Sequence, residues 1–387
     1  MAPSLPPLSL YVHIPWCVRK CPYCDFNSHK AGPEVPEQAY VHALLRDMQD
    51  ETARSHGRPL SSIFFGGGTP SLFSAQAIGD ILQGAERHFG FAANIEITLE
   101  ANPGTAEQGR FHGYRAAGVN RLSIGVQSFN AQHLHHLGRI HSGREAIDAV
   151  AMARAAGFDN FNLDLMHGLP GQTPEDASAD LTQALDLAPN HLSWYQLTIE
   201  PNTEFFRRPP VLPIEDTLAD IQDVGSALLS ENGLHQYEIS AYAKTNQQAA
   251  HNLNYWRFGD YIGIGAGAHG KLSHWHGNQL QIHRQWKTRL PEHYLKRTDN
   301  IATQRFEAGS EVIEAQDLPL EFMMNALRLN DGVEQSLFQQ RTGLALDTIA
   351  APLKHLREQG LITPDRLQPT ALGSRYLNRL LPAFEAV

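Results

Sequence analysis

The stretch Leu8-Ser-Leu-Tyr-Val-His-Ile-Pro-Trp-Cys-Val-Arg-Lys-Cys-Pro-Tyr-Cys24 joins an apolar run to a loop that holds all three cysteines of the 387-residue chain. Residues 8–14 are short, rich in β-formers and stopped by Pro15, which reads as a buried strand. The loop then spaces Cys17, Cys21 and Cys24 in a C-x3-C-x2-C pattern. Thiolates grouped this way can converge on soft iron, as cysteine-ligated iron–sulfur centres require, and three ligands leave one iron of a cubane open to a small chelating molecule. A zinc site completed by His13 or Asp25, or three unrelated reduced thiols, are the other readings of the same residues.

Outward from this strand the pattern repeats. Apolar, β-rich runs at 62–65, 95–100, 122–126, 161–166 and 192–199 alternate with stretches whose apolar residues fall three and four apart. Such alternation predicts an α/β fold, a parallel sheet with crossover helices. The unusual polar and glycine residues sit at the C-terminal ends of successive strands: the Cys17 loop, Gly66 to Thr69, Glu100, Gln127 and Asp164. In a barrel those ends converge on one mouth, whereas a doubly wound sheet would gather its ligand at a single switch point. Six β/α units fit up to about Asn232, so the expectation is an open, partial (β/α)6 barrel.

Beyond it, 236–243 reads as one further strand. Residues 244–290, rich in Gly, His, Trp and Asn with weak periodicity, read as a loop-built surface around a site. From about Ala308 the chain turns helical, with a turn or small hairpin near 361–369, a winged-helix-like outline. Three parts are expected: a barrel over 1–243, a segment closing its mouth over 244–307, and a helical domain over 308–387.

Composition narrows the function. With 41 acidic against 31 basic residues the formal charge is −10, which argues against a general nucleic-acid binder. The tail from Ser310 carries seven basic and ten acidic residues, so a DNA-reading winged helix has little electrostatic support. No signal peptide or run of about 20 apolar residues is present, so the chain is expected in the cytoplasm and not as an integral membrane protein. Gly265-Ala-Gly267-Ala-His-Gly270 matches G-x-G-x-x-G, but it lies outside a βαβ unit and lacks the acidic residue a ribose needs; the glycines are expected to line the barrel mouth instead.

The cysteine loop after a first strand, with Tyr23 just before the third cysteine, resembles the signature of the radical S-adenosylmethionine (SAM) superfamily. The resemblance implies a [4Fe–4S] cluster on Cys17, Cys21 and Cys24, SAM chelating the fourth iron, and cleavage of its sulfonium to a 5′-deoxyadenosyl radical. It also implies SAM-binding roles for Tyr11, Gly67, Gly68, Thr69, Glu100, Gln127, Arg139 and Asp164, matched through Gly-Gly-Gly-Thr-Pro, Glu-Ile-Thr-Leu-Glu-Ala-Asn-Pro, Gly-Val-Gln-Ser-Phe, Leu-Gly-Arg and Asn-Leu-Asp-Leu. The chemistry agrees: a carboxylate accepts from an ammonium or ribose hydroxyls, and an arginine pairs a carboxylate through charge-assisted bonds.

Within that superfamily the chain is most similar to the coproporphyrinogen oxidase-like group, through Tyr-Val-His-Ile-Pro-Trp before the cluster loop and His-Gly-Leu-Pro-Gly-Gln-Thr from His167. Two branches compete: the oxygen-independent coproporphyrinogen III oxidase, which decarboxylates porphyrinogen propionates, and a heme chaperone. Phe26 stands where the oxidase has a further cysteine, only ten residues precede Tyr11, and His251-Asn-Leu-Asn-Tyr255-Trp256 is similar to the H-N-x-x-Y-W motif of the chaperone branch. That resemblance implies heme on His251, Tyr255 and Trp256; as residue types, His269, His274 and His276 are alternative ligands. It also implies transfer to an acceptor protein, of which a membrane-bound respiratory enzyme is one candidate; a homodimer is left open.

Overall fold

A computed structural model describes residues 4–104, 110–277, 279–297 and 306–385. Its main feature is a twelve-stranded sheet. Six strands follow the chain in order, each parallel to the next: β1 (Leu8–Ile14), β2 (Leu60–Gly67), β3 (Phe91–Ala101), β4 (Arg121–Gln127), β5 (Phe161–His167) and β6 (His191–Gln196). Parallel neighbours cannot be joined by a tight turn, and each step crosses over through a helix. These are α1 (Glu37–Glu51), α2 (Ala75–Phe89), α3 (Phe111–Ala117), α4 (Gly143–Ala155) and α5 (Pro174–Asp186), with α6 (Glu215–Glu231) after β6. Both faces of these strands are covered, which is why they read as apolar runs rather than alternating ones; β4 is buried along its whole length.

Local chemistry sets the helix starts. Ser142 and Glu145 form a capping box on α4, and Thr173 and Asp176 do the same on α5, which has Pro174 in its first turn. Ser74 caps α2 and is itself held by Glu37 of α1, at 2.6 Å through its backbone N–H and 2.7 Å through its hydroxyl.

Two expectations change here. The single strand at 236–243 is a hairpin, β7 (His235–Glu238) and β8 (Ala241–Ala243), with β8 antiparallel to β6. The supposed loop surface of 244–290 holds a short helix, α7 (Ala250–Trp256), and three strands, β9 (Asp260–Ile264), β10 (His269–His276) and β11 (Gln279–Lys287). Of these, β9 adds parallel to β1 on its free side, and β10, β11 and β12 (Glu307–Val312) continue antiparallel. The strands were hidden because Lys271, Ser273, Gln285 and Lys287 are buried, so polar residues occupy positions that apolar ones normally mark. Sheet order is β12-β11-β10-β9-β1-β2-β3-β4-β5-β6-β8-β7, leaving β12 and β7 as edges of an open, partial barrel.

The glycine motif is the turn from β9 into β10. Gly265 and Gly267 have φ of 98° and 77°, and a Cβ at Gly265 would run into the His13 carbonyl. The C-terminal helices α8 (Leu318–Ala326), α9 (Gln335–Thr342) and α10 (Ala350–Glu358) build a second core around Phe322, Phe338, Leu353 and Leu356. A short antiparallel ladder, Val333–Glu334 with Arg366–Leu367, completes the winged-helix-like outline.

The late strands are locked to α1 by a buried ion cluster. Lys287 Nζ lies 2.6 Å from Asp47 and 2.7 Å from Glu51, while Asp47 also accepts from the Tyr294 hydroxyl at 2.7 Å. Burial pushes the Asp47 carboxyl up despite the lysine; in Glu51 burial is outweighed by Lys287, and its carboxyl is held low. Replacing Lys287 by Met leaves buried Asp47 without a cation and Glu51 with Arg54 alone, and the loss is expected to reach about 3–5 kcal/mol. Urea unfolding of the full chain reads it as a lower midpoint.

Candidate functional site

The cysteine loop hangs from the end of β1 and is clamped at its base. Trp16–Cys17 pair in parallel with His29–Lys30, the His29 N–H donates to Pro15 O at 2.7 Å, and the Ala31 N–H donates to Cys17 O at 2.8 Å. Inside the loop the Cys24 N–H closes a turn on Cys21 O at 3.2 Å, and Lys20 donates to Phe26 O and Ser28 O, each at 3.2 Å. The glycine run passes directly beneath. Gly68 N–H donates to Ile14 O and Thr69 N–H to Trp16 O, each at 2.7 Å, and a Cβ on Gly68 would stand 2.5 Å from Trp16 O.

Above this platform a cavity of about 490 Å³ opens at the C-terminal ends of the strands. Cys17, Cys21, Cys24, Gly67, Gly68, Thr69, Glu100, Gln127, Arg139 and Asp164 all line it. The sequence singled out each of these; it did not single out Asn102, Ser123, Ser193 and Tyr195, which line the same space. Asn102 accepts from Arg139 at 2.7 Å and donates to Thr69 at 3.0 Å; Tyr195 donates to Gln127 at 2.8 Å. Strand parity was the available signal, since Asn102 lies two residues after Glu100, and Ser193 and Tyr195 share one face of β6.

The cavity has two electrostatic ends. At one stand the half-buried Glu100 and Asp164: desolvation, then the Asp164 charge, pushes Glu100 up to about 8, partly offset by the Gly67 amide. Asp164 is likewise raised by burial, although Ser123 donates to it at 3.0 Å and Asn162 at 2.7 Å. At the other end Arg139 donates to Gly125 O at 2.6 Å and comes within 3.8 Å of the Cys21 sulfur. Gln127 turns into this space from a left-handed backbone, φ 68°, at a register break in β4, the kind of strained conformation that clusters at functional sites.

The three thiols are free and half-buried. Burial pushes the Cys17 thiol up to about 11, against a hydrogen bond with Thr69, and also raises Cys24. Among the described residues no trio of His, Cys, Asp or Glu is arranged to hold a single metal ion. His13 has both ring nitrogens engaged, by Tyr11 at 2.9 Å and Asn27 O at 2.9 Å, so it is not placed as a fourth zinc ligand. Three sulfurs on one loop facing a cavity suit a cluster, whose irons each take a separate thiolate.

Tyr11 lies elsewhere. It lines a neighbouring cavity of about 620 Å³ that shares Phe26, Gly67 and Glu100 with the first. The helix α7, which carries the His251 motif, packs on β1 and β2. His251 Nδ1 is 3.0 Å from Glu96, whose carboxylate also accepts the Ala250 N–H at 3.0 Å and the His251 N–H at 3.2 Å; the ring lies 4.2 Å from that of Phe64. His251 lines neither cavity, Tyr255 lines the second, and Trp256 lies beneath Arg328, 4.3 Å from the ring centroid.

With this geometry in place, the comparisons are specific. Residues 11–183 match the radical SAM superfamily and 313–376 the HemN C-terminal domain. The chain is 52% identical to the heme chaperone HemW of Escherichia coli and 50% identical to that of Haemophilus influenzae, over 99% of each chain in both cases. The chain belongs to the HemW family of the radical SAM superfamily. This HemW-family chain shares its architecture with coproporphyrinogen III oxidase (HemN) from Escherichia coli, whose structure matches at a TM-score of 0.82 and 25% identity over 98% of this chain and 90% of that one. Among the described residues no helix is long and apolar enough to cross a membrane.

The Glu96 latch yields a pH prediction. Burial alone would raise its carboxyl, but the His251 hydrogen bond and the Arg121 charge outweigh it and hold it at about 2. A carboxylate lowered on folding stabilises the native state above the ordinary value near 4.5, and that contribution, roughly 3 kcal/mol, is lost as pH falls from there toward 2. Glu96→Gln is expected to lower stability at neutral pH and to flatten this acid limb, measured by urea unfolding between pH 6 and 3.

Proposed function

We propose that this protein is a heme chaperone that holds a [4Fe–4S] cluster and SAM in the first cavity, binds heme beside them, and passes the heme to an acceptor protein. The observation that carries the reading is the convergence of three thiols, two half-buried carboxyl groups and one arginine on a single cavity at the strand ends. The high identity to HemW chaperones along the whole chain supports the heme part.

Each residue then has a task. Cys17, Cys21 and Cys24 take three irons. Glu100 and Asp164 receive the ammonium and hydroxyl groups of SAM, Arg139 its carboxylate, and Gly67, Gly68, Thr69 and Gln127 shape the space between. A [4Fe–4S] cluster with one uncommitted iron supplies, when bound, the electron for reductive cleavage of a sulfonium. Tyr11 stands at the boundary with the heme side, and the helix bearing His251, Tyr255 and Trp256 forms the rear of the heme seat. Phe26 occupies the lip of both cavities, where a fourth thiol would otherwise face the substrate.

The test is anaerobic reconstitution with iron and sulfide, followed by SAM and heme titration. The protein is expected to gain the broad absorption of a [4Fe–4S] cluster and to bind both molecules. Triple replacement of Cys17, Cys21 and Cys24 by Ala should abolish cluster and SAM binding and spare heme. Sustained conversion of coproporphyrinogen to protoporphyrinogen by the reconstituted, reduced protein would replace the chaperone reading with that of a decarboxylating oxidase.

A further inference from the structure

The second cavity has the composition of a seat for a flat, anionic ring. At about 620 Å³ it falls within the usual range for small-molecule sites. Aromatic side chains make much of its wall, with Trp286 on β11, Tyr261 on β9 and Tyr255 on α7, the last two edge to face at 4.7 Å. Aromatic walls offer a large apolar area to a macrocycle at small entropic cost.

Two polar groups face the same space. His269 stands directly opposite Trp286 in the β10–β11 ladder, which puts both side chains on one face of the sheet. It is exposed, whereas His13, the other histidine of the wall, has both nitrogens engaged. Arg289 is exposed at the rim, with Nε 3.4 Å from Asn27, and among the described residues no carboxylate stands at ion-pair distance from it. Lys287, also in the wall, is already matched to Asp47 and Glu51. Among the described lining residues the only carboxyl is Glu100, and burial and the neighbouring Asp164 charge shift it toward its neutral form, which lessens its repulsion of an anion.

The motif histidine is placed differently. His251 is 9% exposed, tied to Glu96 and packed on Phe64, and Asn252 donates to the Tyr237 hydroxyl at 3.0 Å. Residue by residue the motif fastens α7 to the barrel, and Tyr255 is what it presents to the cavity.

We propose that a metallated tetrapyrrole lies in this second cavity against Trp286 and Tyr255, with His269 ligating the metal and Arg289 pairing a propionate. The proposal rests on the heme reading above and assigns the iron ligand outside the H-N-x-x-Y-W motif. His251 acts as a positioning residue, holding the helix that carries Tyr255.

The test titrates ferric heme and metal-free protoporphyrin IX into the full chain and its variants, read by the Soret band and by electron paramagnetic resonance. His269→Ala should abolish the histidine-ligated ferric signature, weaken heme about tenfold or more, and leave protoporphyrin IX unaffected; Arg289→Met should weaken both ligands by about tenfold. His251→Ala should weaken heme while keeping the ferric signature of the unsubstituted chain. A signature retained in His269→Ala and lost in His251→Ala would overturn this assignment and leave the heme reading standing. Failure of the unsubstituted chain to bind heme saturably would overturn the heme reading itself.

Discussion

The closeness of two backbones beneath the cysteine loop governs the rest of the molecule. Where β2 ends, Gly68 and Thr69 donate their N–H groups to Ile14 and Trp16, at a separation that leaves no room for a Cβ at position 68. That contact fixes the height of the cysteine loop above the sheet. The loop sulfurs then share one cavity with side chains at the ends of β3, β4 and β5, because these strands pair in parallel and their C-terminal ends lie side by side. A parallel barrel brings strand ends together in any sequence; here the glycine contact decides what those ends surround.

Burial of charge then divides the interior by role. The Lys287 cluster and the Glu96–His251 pair satisfy charges at the supports of the site, whereas Glu100 and Asp164 are left in the cavity with raised affinity for protons. A carboxyl that is costly to ionise inside the protein gains most when a cationic group arrives, so the same burial that opposes folding favours an ammonium-bearing ligand.

The parallel half of the fold was legible because its strands are covered on both faces: the run at 161–166 falls within Phe161–His167, and residues 8–14 coincide with Leu8–Ile14. The late strands were not, since Lys271, Ser273, Gln285 and Lys287 turn inward and invert the hydrophobic code. In the candidate site, side chains at strand ends could be picked out by their chemistry, but Asn102 and Tyr195 act through partners, Arg139 and Gln127, which only three dimensions reveal. The same limit governs the His251 helix. Residue type suggests a ligand, and orientation, set by Glu96 and Phe64, sends the imidazole away from open space.

Glu100, Gly67 and Phe26 form a party wall between the two cavities. A cationic group settling on one side of that wall favours release of the shared carboxyl's proton, so one residue's charge state answers to the contents of both chambers.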